Sequence, residues 1–182
     1  MIVERVNRPV GQVVTIDELG WHTRTGGPAE MGENPHWPEL ERFADAAGLE
    51  AEDSAQIALL TQRVRVTLEA WPRALTLSLP IAPLLDFASV TVSADGKPFE
   101  DFGVMTGLRP ALRFNARPVG LVVIEYSAGF GDTAEAVPKD LRLAIMDQVA
   151  CYFDARGVVD VKARTQSPHF ARIIGRYRGV RA

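Results

Sequence analysis

The chain is poor in the features that most often betray chemistry. It has one cysteine, Cys151, so no internal disulfide can form, which fits a reducing compartment. No apolar run approaches the roughly 20 residues that a membrane-spanning helix needs. MIVERVNRPV lacks the apolar core of a secretion signal, and the expectation is a product made in the cytoplasm. Its three histidines, His22, His36 and His169, are far apart and carry no metal-ligand spacing, so no metal site is expected. There is no G-x-S-x-G elbow, no internal repeat and no low-complexity stretch. Cys151 sits in an apolar helical pattern, where a lone thiol usually behaves as a small hydrophobe. No catalytic residue and no cofactor are expected.

What the chain does have is a folding composition. Hydrophobic residues make up 47% and charged residues 24% of 182, which suits one globular domain rather than disorder. The strongest signal runs from Leu121 to Arg156. Val122, Ile124 and Tyr126 alternate as one face of a strand, which enters a Gly-rich turn. Leu141, Ala144, Ile145, Val149, Tyr152 and Phe153 then form a helical stripe. Pro138 suits the first helical position and Gly157 a left-handed C-terminal cap.

Upstream, residues 1–14 read as extended, and Thr15 with Glu18 reads as a capping box opening a short helix that Gly26-Gly27-Pro28 stops. Leu40, Phe43, Ala44 and Ala47 predict a second helix from Trp37-Pro38, ending, bending or continuing at Gly48. From Thr61 the period becomes two: Val64/Val66/Leu68, Leu75/Leu77/Leu79, Val90/Val92 and Leu112/Phe114, with Asp95-Gly96 as a hairpin turn. The expected fold class is α+β: a helical bundle with an inserted antiparallel β-sheet or small barrel and an extended C-terminal helix. Its parts are residues 1–60 (extended segment and helices), 61–128 (β insertion), 129–157 (core helix) and 158–182 (basic arm), the first three packing as one domain.

Two motifs need weighing. Gly129-Phe-Gly131-Asp-Thr-Ala134 matches G-x-G-x-x-A between strand and helix. Pro138 starts the helix too late for its amides to face a pyrophosphate, and Asp132 and Glu135 would repel one, so a structural turn is the better reading. The second motif is the C-terminal arm. From Arg156 onward seven basic residues face one acidic residue, a balance of +6 in a chain whose net charge is −3, which leaves −9 on the rest. After Ser167-Pro168, Phe170, Ile173, Ile174 and Tyr177 form a short amphipathic stripe beside Arg172 and Arg176. The stripe can fold back on its own domain, the arginines can bind nucleic acid, or the helix can dock on a partner protein; the last is the usual helix-in-groove pattern.

The order of segments adds to this. RPVGQVVTIDEL, ALLTQRVRVTLEAWP, LTLSLPIAPLLDFASVTVSADGKPF, VVIEYSAGFGDTAEAVPKDLRLAIMDQVACYFDARG and SPHFARIIGRYRGVR resemble, in sequence order, five blocks of the head–tail connector (adaptor) family of tailed phages and phage-like gene transfer agents. The link from Trp21 to Glu39 is longer and richer in Gly and Pro than that family's. The resemblance implies a structural virion protein that forms a homo-oligomeric ring, commonly of twelve copies, between the portal and a tail-side stopper. DNA passes through the channel without specific binding, and no membrane is involved. It also implies that Phe170, Ile173, Ile174, Arg176, Tyr177 and Arg178 face the portal. The alternative implied by charge alone is a nucleic-acid-binding module using the basic arm.

Overall fold

The structure, a computed structural model, describes residues 1–7, 9, 13–26, 35–156 and 166–179. The α+β class expected from the sequence is what it shows. The chain divides into two compact units, residues 1–10 with 56–132 and residues 11–55 with 133–182.

The first unit is built on β-structure. β1 (Ile2–Asn7), β2 (Gln62–Leu68), β8 (Val122–Ala128), β4 (Thr91–Ala94) and β5 (Lys97–Pro98) form one antiparallel sheet in that order. β3 (Thr76–Ser78), β7 (Ala111–Phe114) and β6 (Phe102–Met105) form a second. The N-terminal segment thus pairs in the sheet instead of joining the helices, with Val3 opposite Val66 and Arg5 opposite Val64. β8 is central: Tyr126 lies opposite Val64, and Ile124 lies opposite both Val66 and Val92. Val122, Ile124 and Tyr126 all point into the core, as their alternation predicts, with Leu79, Leu112 and Phe114 among their fellow core residues. Leu75 departs from the pattern: it precedes β3 and stays exposed. The Asp95-Gly96 turn is a hairpin with both residues at positive φ, 48° and 75°, as a two-residue turn matching strand twist requires. On the sheet's outer side Glu125 accepts from Arg65 at 2.7 Å and Arg63 at 2.6 Å, and these two bonds hold its carboxyl below the ordinary glutamate range.

The second unit is helical: α1 (Ile16–His22), α2 (Trp37–Ala55), α3 (Lys139–Ala155) and α4 (Pro168–Tyr177). Thr15 and Glu18 close the expected capping box on α1. That helix ends at His22, with Arg24 at φ 59°, before the glycines assigned to stop it. α2 runs unbroken through Gly48, burying Leu40, Ala44, Ala47, Ala51 and Ala55. α3 buries Leu141, Ala144, Ile145 and Val149, with Tyr152 and Phe153 half-buried at the stripe's end. Pro138 stands at the N-cap, one position earlier than expected, where its carbonyl accepts from Arg142 N–H at 3.1 Å. Gly157 lies outside the described residues.

Tyr126 holds the first unit's core together chemically as well as sterically. Its hydroxyl, fully buried, accepts from Ile81 N–H at 3.0 Å and donates to Ile81 C=O at 3.1 Å, and burial pushes its pKa far above the ordinary tyrosine value. Tyr126→Phe leaves both Ile81 groups unpaired, and we expect it to cost about 1–3 kcal/mol, measured by urea denaturation.

Candidate functional site

The residues nominated for partner binding lie on α4 or, for Arg178, at its C-cap, and the structure decides what each one offers. Ser167 accepts from Phe170 N–H as N-cap and Pro168 occupies the first turn, so the sequence starts the helix where expected. Phe170, Ile173 and Ile174 are buried within the helical unit, at 0%, 2% and 4% exposure. Within the single chain the apolar stripe expected to face another molecule packs against α2 and α3.

A row of polar bonds sets the register of α4 along α3. Ser167 N–H donates to Gln148 Oε1 at 2.8 Å, His169 Nδ1 pairs with Asp147, and Tyr177 O–H donates to Asp140 at 2.9 Å. Burial and the Asp140 bond push the Tyr177 hydroxyl up to about 12. Asp147 also meets His22 Nε2 of α1 at 2.9 Å, so one carboxylate ties three helices. Sequence spacing gave no signal for this cluster, because His22 and Asp147 are 125 positions apart. His36 takes a different place, edge-on to Phe153 at 5.4 Å. Among the described residues no group of three or more His, Cys, Asp or Glu side chains can hold a metal ion.

With its apolar side spent, α4 offers charge. Arg172, Arg176 and Arg178 are exposed, as are Ala171 and Gly175 beside them. On α2 the exposed residues include Glu41, Asp45, Ala46 and Leu49. The two helices of this unit therefore show solvent faces of opposite sign.

The Gly129–Ala134 turn is occupied by its own unit. Gly129 N–H donates to Pro83 C=O at 3.0 Å, Phe130 N–H donates to Leu59 C=O, and Gly131 C=O accepts from Thr61 N–H. Gly129 sits at φ 139°, and a Cβ there would lie 2.7 Å from the Leu60 backbone. Its glycines serve a close chain crossing, which is the structural reading of the motif. Cys151 is half-buried and forms no disulfide. Among the described residues no helix is long and apolar enough to cross a membrane.

No protein-family model matches the chain, and no curated protein does. Solved structures match it end to end. A chain in the neck of an empty GTA particle, computed with C6 symmetry, is 28% identical with a TM-score of 0.78, covering 100% of this chain and 97% of that one. A chain in the virion of a native gene transfer agent (GTA) particle is 24% identical with a TM-score of 0.78 over the same shares. One in the neck of a native GTA particle, computed with C12 symmetry, is 22% identical with a TM-score of 0.75, again covering 100% and 97%. The resemblance drawn from the sequence blocks is borne out at the level of fold: over its full length the chain is similar to chains of gene transfer agent particle necks.

The α1 anchor supplies a test of the helical unit. Arg142 reaches from α3 to both Glu18 oxygens, at 2.5 and 2.7 Å, and to Val13 C=O. Burial alone would raise the Glu18 carboxyl, but the Thr15 amide and hydroxyl with Arg142 outweigh it and hold it below the ordinary glutamate value. A lowered folded-state pKa gives stability that is present above the unfolded value, about 4.3, and lost as pH falls through the folded one. Glu18→Gln should therefore lower the melting temperature at pH 7 and flatten its decline below about pH 4.5, read by thermal melts across the acid range.

Proposed function

We propose that the chain is a ring-forming head–tail adaptor of a phage-like particle, bridging the portal to a tail-side stopper while DNA passes through the central channel. Its role is structural, with no reaction catalysed. The full-length likeness to particle necks, 28% identical in one case and computed with sixfold or twelvefold symmetry in two, is what supports this reading. A twelve-copy ring at the head–tail junction is the arrangement we favour.

The portal contact is assigned to the end of the C-terminal segment. Phe170, Ile173 and Ile174 are committed at home and Tyr177 is tied to Asp140, so they hold α4 in place. Arg178, past the last helical turn and exposed, and the chain end beyond it are what remain for the portal. The β unit, with exposed Met105, Leu108 and Val119, is the side we assign to the stopper. The nucleic-acid reading of the arm draws on the same exposed arginines but gives no reason for the whole-chain likeness to particle necks.

Deleting 167–182 is a poor test, because it strips three buried side chains worth about 1.5–3 kcal/mol each from a domain of marginal stability. Removing residues 178–182 is the better one. We expect the melting temperature to stay within about 2 °C and co-sedimentation with purified portal rings to be lost. A truncated chain that still travels with portal would count against this assignment. Duplex DNA binding that falls steeply with salt would favour the nucleic-acid reading instead.

A further inference from the structure

We infer that α2 and α4 are the two halves of a contact between neighbouring copies: the acidic face of α2 on one copy receives the basic face of α4 on the next. This rests on the ring reading above and names its interface.

The starting observation is a pair of local costs. Glu41 and Asp45 stand at i and i+4 on the exposed side of α2. Arg172 and Arg176 stand at i and i+4 on the exposed side of α4. Like charges at this spacing lie about 5–6 Å apart at Cβ and destabilise a helix. Among the described residues none of these four side chains takes part in an ion pair. The nearest cation in sequence, Arg42, donates to Pro38 C=O at 3.0 Å. Among the described residues each helix therefore carries an uncompensated pair, and the two pairs share one spacing and have opposite sign.

The surrounding residues permit close approach. Ala171 and Gly175 flank the arginines, and a Cβ built on Gly175 meets nothing within 4 Å. Ala46 lies beside Asp45, and Leu49, 42% exposed, continues the acidic row by one turn. Leu49 gives the contact an apolar element to cover.

A second copy is the occupant the charges specify. A ring built from one kind of chain needs two different, mutually complementary patches on every copy. These two faces meet that requirement and are carried on the same helical unit. Arg178 falls off the Arg172–Arg176 row, which leaves it to the portal side.

The test uses the full chain in two charge-reversed forms, Glu41→Lys/Asp45→Lys and Arg172→Glu/Arg176→Glu. All four positions are exposed, and unchanged circular dichroism and melting temperature verify folding. By sedimentation velocity, wild-type self-association should strengthen as salt is lowered. Each reversed form alone should associate at least about tenfold more weakly. A one-to-one mixture of the two should recover association, because each acid-to-base reversal now meets its opposite. A wild-type chain that stays monomeric at low salt overturns the inference. So does an Arg172→Glu/Arg176→Glu form that associates like wild type, or a mixture that fails to recover. Portal co-sedimentation of the wild-type chain is read in parallel. If it fails while the mixture recovers, the adaptor reading falls and this contact stands; the reverse result removes the contact alone.

Discussion

β8 has no free edge, and the β unit follows from that. Its seven residues pair with β2 from Val122 to Ala128, and its first four pair with β4 on the other side. Strand pairing uses its backbone groups, so its inward side chains decide which way the sheet faces. A register slip of one residue would turn Val122, Ile124 and Tyr126 to solvent and bring Val123 and Glu125 inward. Glu125 in that position would lose Arg63 and Arg65 and face apolar neighbours. The Ile81 bonds to Tyr126 oppose the same slip from the core side.

The helical unit obeys a different constraint. α4 is ten residues long, too short to be stable by propensity, so its apolar stripe must be covered by something. Covering it with α2 and α3 fixes what the helix can do next. A helix that has buried Phe170, Ile173 and Ile174 at home cannot also lend them to a partner without undocking. Its outward chemistry is reduced to guanidinium groups and small residues. Contacts of that kind carry direction and selectivity more than strength.

Much of this architecture was legible in the sequence, and the reasons are local. Alternation announced β8, the Thr15–Glu18 spacing announced the cap of α1, and Asp95-Gly96 announced a turn whose positive φ values few residue pairs tolerate. Each signal is decided within a few residues. What a local reading leaves open is decided by distant residues. An amphipathic stripe of Phe170, Ile173, Ile174 and Tyr177 looks identical whether its cover is the same chain or another one. The Gly129 turn matched a nucleotide fingerprint because glycine serves close backbone approach in both settings; only Leu60 crossing at its Cα tells them apart. The Asp147 link between His22 and His169 joins helices from opposite ends of the chain, beyond any spacing rule.

Weak, charge-led contacts suit a closed ring for a reason of counting. An open row of n copies has n − 1 contacts, and closure adds the last one without losing another molecule's translational freedom. The final contact is intramolecular, at an effective concentration set by geometry, so it is stronger than its pairwise affinity suggests. Exposed ion pairs of about 0.2–1 kcal/mol each can then support an assembly that a single pair of copies would barely hold. The same weakness lets misplaced copies leave before closure. A stripe like that of α4, had it faced outward, would have bound neighbours tightly and in any register. In the proposed ring, burying it at home and leaving charge outside would trade contact strength for correct closure.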